Sequence, residues 1–523
     1  MQQVVFVAAG IALFVAYTAQ ARTVADTSDS GAKALQAWDM LHGNVLLRGW
    51  TLSDVSFYTT ELPQYMLVEL VRGLTGDTVH VAGALTYTLM VLLAGLLAKG
   101  RATGREGLVR LLVTVGILLA PSLHVGTHLL LAGPDHTGTQ VPLLLIWIVL
   151  DRARARWWVP AVVAVLLVWA QVADTLVLYE GVLPLVVVCA VRMYRRRGPL
   201  AAQWYELSLA TGAVGSAVGA ELILAVIRHA GGFTVGTPIA GFATASGMFA
   251  GLSQKAQSSL DVFGASFFGL PFGSAAIVVL IHLAGVALVA WAAAVTLHRF
   301  CREADLIVQV LTVAFVVLLA AYLVGSKPDS QEIIGLLPIG AVLAGRVLTS
   351  RLIRAGLVPA MALVLACYGG ILVSHTVQPL ALSENQLAAS WLQAHHLNYG
   401  LAGYWQANSI TVDDGDRVQI RPVRVLNHEL VITPAESDAS WYDVRRHDAH
   451  FVVWAPPGSC LNVCLSMASL RQILGPPTAT YQVGTFRVLV WRQNLLTSLH
   501  TLWWCGNVWP WATSHQPSAT PCE

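Results

Sequence analysis

The first polar stretch of the chain places four carboxylates, Asp26, Asp29, Asp54 and Glu61, directly after an opening apolar run. Asp26 and Asp29 fall within a turn or two of its end, where a lipid phosphate would lie. A carboxylate there can take a proton from a hydroxyl or ligate a metal. The same residues, Thr27-Ser28-Asp29-Ser30, are also good helix-capping chemistry, so a solvated, capped loop is the alternative. Between the acids, residues 32–41 carry apolar side chains near helical spacing and are expected to form an interfacial amphipathic helix.

Three more polar groups follow. Gly133-Pro134-Asp135-His136-Thr137-Gly138-Thr139-Gln140 leads into an apolar run, and His124, His128 and His136 lie close upstream and within it. An ionisable group at membrane depth is costly and is a functional candidate by default. Asp135 and His136 could be metal ligands or an acid/base pair, and Gly-Pro-Asp could equally be a plain turn. Gly325-Ser326-Lys327-Pro328-Asp329 offers Lys327 to a phosphate at a helix entry, with a snorkelling lysine as the bland reading. The glycine-rich segment 228–270 reads either as a lid or, more simply, as a connecting loop. Asp174 and Glu180 flank a tight turn and are expected to be surface anchors.

The elements that must carry these groups are membrane helices. Of 523 residues, 56% are hydrophobic and 11% charged, against about 25% charged in a soluble chain. Apolar runs are expected to span a bilayer at 4–21, 79–98, 108–131, 137–150, 158–173, 176–191, 201–227, 273–297, 306–324, 333–348 and 357–377. The first lacks a basic leader and an Ala-x-Ala site, so it is expected to be retained as a helix. With the N-terminus cytoplasmic, sixteen Lys and Arg fall in inner loops and seven in outer ones, the bias that orients membrane proteins. The reading is a polytopic α-helical membrane protein of about eleven spans in the plasma membrane. Residues 1–380 would form its transmembrane domain, with a long first outer loop at 22–78. Gly212, Gly215 and Gly219 predict close helix packing in the seventh span.

From 381 to 497 polar residues return, and strand-like stretches appear at 417–421, 451–454 and 486–491, with a short helix near 390–396. A small C-terminal α/β domain outside the membrane is expected, followed by a Trp-rich tail at 498–523. Cys460 and Cys464 have a spacing that allows a disulfide. A net charge of +2 gives no reason to expect nucleic acid. No phosphate-binding glycine-lysine loop, nucleophile elbow or zinc-protease motif is present, and no broken helices recur in two halves as in inverted-repeat transporters.

An early acid in a long first outer loop, in Ser28-Asp29-Ser30-Gly31-Ala32, together with a polar second outer loop, about eleven spans and an outer C-terminal domain, resembles the GT-C superfamily of membrane glycosyltransferases. This superfamily includes protein O-mannosyltransferases and the bacterial aminoarabinose and galacturonic-acid transferases. The resemblance implies inverting transfer of a sugar from a polyprenyl-phosphate donor to a glycan, lipid or protein acceptor at the outer face. Asp29 would be catalytic base or metal ligand. Ser30 stands where the family often has the second acid of an Asp-Glu pair, which keeps Asp26 as a competitor. Asp135 and His136 would position the acceptor or bind metal, Lys327 would meet the donor phosphate, and Glu61 is grouped with the substrate-binding residues. A divalent ion, Mg or Mn, is the implied cofactor, with Asp29, Asp135 and His136 as its ligands. A transporter or flippase of a lipid-linked glycan, and a non-catalytic assembly protein of the same fold, are the alternatives.

Overall fold

Eleven helical segments stand where the apolar runs predict them. They are α1 (Gln2–Ala21), α4 (Gly76–Lys99), α5 (Gly104–Leu118), α6 (Gln140–Arg152), α7 (Val159–Ala173), α8 (Leu183–Arg196), α9 (Trp204–His229), α11 (Ser274–Arg299), α12 (Leu306–Val324), α13 (Leu336–Arg354) and α14 (Val358–Thr376). The remaining helices are α2 (Ser28–Leu41), α3 (Glu61–Arg72), α10 (Leu252–Val262), α15 (Glu384–Ala394), α16 (Tyr404–Asp413) and α17 (Met467–Leu474), besides two very short ones. The computed structural model describes residues 2–499 apart from 134, 154, 197–198, 200–202, 237–240, 271, 327–328, 382 and 460–463. Among the described residues seven helical segments are long and apolar enough to cross a membrane, while α5, α6, α7 and α8 are shorter. The third apolar run is split: α5 stops at Leu118, because Pro121 cannot continue a helix and disfavours helical backbone just before it, and only short helical turns follow at Val125–Ala132.

Single π-helical turns occupy His128–Ala132 and Leu178–Val182, one on each side of the segment that carries Asp135, His136 and Asp174. Such turns recur at functional sites because they redirect side chains out of the helical register. Helix α9 lies on α7, with Gly212 against Ala164 and Gly219 against Val168, whereas Gly215 faces open space.

The C-terminal region forms a six-stranded mixed sheet in the order β5-β4-β3-β7-β9-β8, built from β3 (Tyr399–Ala402), β4 (Gln419–Leu426), β5 (Glu429–Ile432), β7 (Phe451–Trp454), β8 (Ala479–Val483) and β9 (Phe486–Val490). Strand β3 is parallel to β4 and β7, and the outer pairs are antiparallel. Apolar clusters cover both faces of the sheet, one including α15 and α16 and the other α17. Cys464 is disulfide-bonded, and Cys460 lies outside the described residues, as does the tail from 500.

A second, three-stranded sheet ties this domain to the bundle. Its central strand β1 (Trp50–Leu52) pairs in parallel with β2 (Thr234–Val235) and antiparallel with β6 (Ser437–Asp438). Three segments distant in sequence are thereby joined at one end of the bundle, here called the domain-bearing end. At the opposite end the buried Arg346 of α13 bonds Asp305 at 2.8 Å and the Leu97 carbonyl at 3.0 Å, and pairs with Asp151.

Gly83 of α4 is where the backbone of the second loop crosses closest: a Cβ there would lie 1.9 Å from the Leu131 carbonyl oxygen. Gly83→Ala must push the Leu131 segment, and with it Asp135, away from α4. The expected cost is about 1–3 kcal/mol, the usual range for overpacking a core, read as a lowered unfolding temperature of the purified protein.

Candidate functional site

The site begins with the start of α2. Thr27 caps it by accepting from the Ser30 amide, and the Ser30 hydroxyl answers the Thr27 amide at 3.0 Å. This capping box starts the helix at Ser28, four residues earlier than the apolar pattern suggests, and puts Asp29 and Lys33 one turn apart on one face. Helix α2 is not the interfacial helix expected for 32–41. It is buried beside α3, α4 and the C-terminal domain, and Gly31 lies against the α16 backbone at Asn408.

Lys33 is 1% exposed. Its ammonium pairs with Asp135, lies 4.0 Å from Glu436, donates to the Asp29 carbonyl at 3.3 Å and stands 4.7 Å from the Phe57 ring centre. Burial pulls the lysine down, but Asp135, Glu436 and Asp29 outweigh it and hold the charge firmly on. Burial and the nearby Asp135 raise the Asp29 carboxyl, while Lys33 and Tyr404 act against that rise. Burial pushes Glu436 up to about 8.

Tyr404, the first residue of α16, places its hydroxyl between Asp29 Oδ1 and Glu436 Oε2. One hydroxyl carries one proton and so donates to only one carboxylate. Glu436, pushed up to about 8, holds its own proton near neutrality and can give it to the Tyr404 oxygen, which leaves the Tyr404 proton for Asp29. Lys33 and Asp135 then balance each other.

Beside this group, His136 Nδ1 bonds Asp174 Oδ2 at 2.7 Å, and the Thr139 hydroxyl donates to the same oxygen at 2.9 Å. Burial opposes charge on His136, but Asp174 outweighs it and pushes the imidazole up to about 10, while Asp174 is held below the usual range despite its burial. The pair is therefore imidazolium and carboxylate. Glu61 faces the same space: its electrostatic neighbours are Asp174, His136 and Lys33, and burial pushes it up to about 8. Gly138 makes room for it, since a Cβ there would lie 2.7 Å from Glu61 Oε1. Gln140 holds Glu180 at 2.7 Å.

Three residues around this space have left-handed backbone without being glycine: Phe57 (φ 51°), His136 (φ 59°) and Glu436 (φ 54°). Each such conformation costs on the order of 1–3 kcal/mol and persists only where its surroundings enforce it. For Phe57 the enforcement is visible: the Ser56 and Phe57 amides both donate to the Ala173 carbonyl, at 3.0 and 2.9 Å.

The structure thus brings Asp29, Asp135, His136 and Glu61 together. Asp26, the competitor, is turned elsewhere: its neighbours are Asp413 and Ser409 of α16, and burial raises it. Lys327 lies outside the described residues. Asp174 and Glu180, expected at the surface, are each 1% exposed and belong to the site or its wall. Acids embedded between apolar runs carry that signal, so both were findable. Lys33 was findable too, as a rare base one helical turn from Asp29. Tyr404 and Glu436 were not, because nothing local links residues so far apart in the chain to Asp29.

The donors do not suit a divalent ion held by Asp29, Asp135 and His136. Asp135 is occupied by the Lys33 ammonium, His136 Nδ1 is bonded to Asp174, and among the described residues no three His, Cys, Asp or Glu side chains are grouped as metal ligands.

No family model matches the chain, and no curated protein matches it. Among solved structures it is similar to ArnT from Cupriavidus metallidurans in the apo state, with a TM-score of 0.45 and 16% identity over 95% of this chain and 99% of that one.

Lys33→Met removes the cation paired with Asp135 and leaves buried acids unbalanced. At neutral pH the expected destabilisation is about 3–5 kcal/mol, measured by thermal unfolding in detergent. Those acids would then have folded pKa values above their unfolded ones. Their penalty is therefore small in acid and grows as pH rises from the unfolded values towards the folded ones, so the variant recovers stability towards pH 5.

Proposed function

We propose that the protein is an integral-membrane glycosyltransferase of the GT-C type, which moves a sugar from a polyprenyl-phosphate donor to an acceptor hydroxyl at the outer face of the membrane. The observation that carries this reading is the Asp29 carboxylate, buried at the domain-bearing end of a bundle of apolar helices, oriented by Tyr404 and set beside Lys33 and Asp135. The architecture also matches what the GT-C resemblance implies: a first helix, a long first loop opening on this acid, a polar second loop and a terminal α/β domain. Gathering of titratable groups beside the α/β domain, rather than along a path through the spans, supports transfer over translocation. The loop charge bias supports an extracytoplasmic position for that end.

In this reading Asp29 takes the acceptor's proton as the acceptor oxygen forms its bond to the anomeric carbon. The bond from that carbon to the phosphate oxygen breaks on the opposite side, so configuration inverts, and the polyprenyl phosphate departs with the electron pair. The His136 imidazolium, fixed by Asp174, supplies positive charge for the leaving phosphate, and Lys327 is the further cation proposed there. Asp135 keeps Lys33 in place, so the lysine charge holds Asp29 ready as a base. Glu61 lines the same space and is proposed to bind substrate hydroxyls.

Two outcomes test this. Asp29→Asn is expected to abolish sugar transfer from polyprenyl-phosphate donors in membranes, with expression and unfolding temperature kept; full turnover by this variant would overturn the assignment. Tyr404→Phe removes a hydrogen bond that favours ionised Asp29, so Asp29 titrates higher still. The acid limb of the pH–rate profile is expected to move to higher pH.

A further inference from the structure

Helix α3 carries a row of buried polar groups that starts at Glu61 and runs on into two, Tyr65 and Glu69, that the reaction as proposed does not use. Glu61, Tyr65 and Glu69 are spaced i, i+4, i+8 and so share one face. They are 1%, 1% and 2% exposed. Glu61 Oε1, the Tyr65 hydroxyl and both carboxyl oxygens of Glu69 have no hydrogen-bond partner among the described residues. The surroundings are apolar, with Leu62, Val68, Leu74 and Val79 in the same cluster. A buried, unbonded carboxyl costs about 1–3 kcal/mol or more, which a packing role would avoid by using leucine. Such groups are normally reached by water.

The two ends of the row differ. Glu61 faces His136, Asp174 and Lys33, and Tyr65 faces Lys33 and Asp135, so this end joins the carboxylate cluster. Glu69, raised by burial, lies three residues before Arg72, whose side chain is 43% exposed and pairs at 2.7 Å with the 27% exposed Asp77. That end is one helical turn from a polar surface.

We infer that Glu61, Tyr65 and Glu69 form a hydrated proton path from the carboxylate cluster to the surface at the C-terminal end of α3. The inference rests on the transferase reading, because each transfer leaves a proton on the buried Asp29. That proton passes through water to one oxygen of Glu61, whose own proton leaves from the other oxygen. Tyr65 accepts on its oxygen and releases its hydrogen, Glu69 repeats the exchange, and the last proton enters solvent. No electrons move, and every group ends in its starting state.

The test is hydrogen–deuterium exchange of carboxyl groups by infrared spectroscopy on the full-length purified protein. It is run below the value of about 8 to which burial pushes Glu61, so that this carboxyl is protonated. Its band is identified by its loss in Glu61→Gln. In Tyr65→Phe and Glu69→Gln the Glu61 band is expected to exchange about a hundredfold more slowly, the lower end of what a positioned proton-transfer group contributes. The unfolding temperature checks that both variants remain folded. Unchanged exchange in both overturns the path, whatever the transfer activity. Slowed exchange in both supports it, and if wild-type protein then transfers no sugar from any polyprenyl-phosphate donor, the transferase reading falls while the path stands.

Discussion

The buried Lys33 ammonium is the interaction on which the domain-bearing end depends. An isolated ammonium in that position would cost several kcal/mol to desolvate, so the structure must bring anions to it. It does so from segments with no local reason to meet: Asp29 one turn away on α2, Asp135 from the second loop, and Glu436 from the C-terminal domain. The lysine therefore gives the α/β domain a reason to dock. Tyr404 closes the contact from the same domain, and the pairing of β1 with β6 holds Glu436 in a backbone conformation it would not adopt alone.

The strained residues follow from this arrangement. Phe57 must turn under Lys33, His136 must point at Asp174, and Glu436 must point inward from a strand edge, each at positive φ. Packing keeps these conformations fixed: the chain around Phe57 is bonded to the end of α7, and Gly83 lets α4 support the loop before Asp135. The reacting groups are thus placed by rigid neighbours, which is the condition for a carboxylate to act without reorganising.

How much of this was legible in the sequence depended on whether the signal was local. Apolar runs report helices residue by residue, so each of the eleven runs coincides with a helical segment, seven of them long and apolar enough to cross a membrane, and strands at 451–454 and 486–490 emerged from alternation or continuous apolarity. Strand β3 was missed because Tyr399-Gly400-Leu401-Ala402 is short and holds a glycine that gives room to the Phe451 ring. At the site, Asp29, Asp135, His136 and Glu61 stood out as ionisable groups beside apolar runs. Asp174 and Glu180 bore the same mark but were assigned to a turn surface, because their burial comes from other segments folding over the turn, with Thr139 and Gln140 reaching them. Glu436 sits among Thr433, Pro434, Ala435 and Ser437, a stretch that reads as a turn. Only the tertiary pairing of β6 gives it a role.

Both ends of the bundle bury a cation among acids, and the contrast separates scaffold from chemistry. At the far end Arg346 uses all three guanidinium nitrogens, on Asp305, Asp151 and the Leu97 carbonyl, joining α13 to the start of α12 and the ends of α4 and α6. Arginine does not release its proton in a protein, so that network is a fixed clamp. At the domain-bearing end the acids outnumber the strong cations, and several are raised by burial into the range where a proton can be held or released near neutrality: Glu61 and Glu436 at about 8 and Glu69 at about 9. One network holds helices together. The other contains protons that can move, and it lies where the first loop, the second loop and the α/β domain meet.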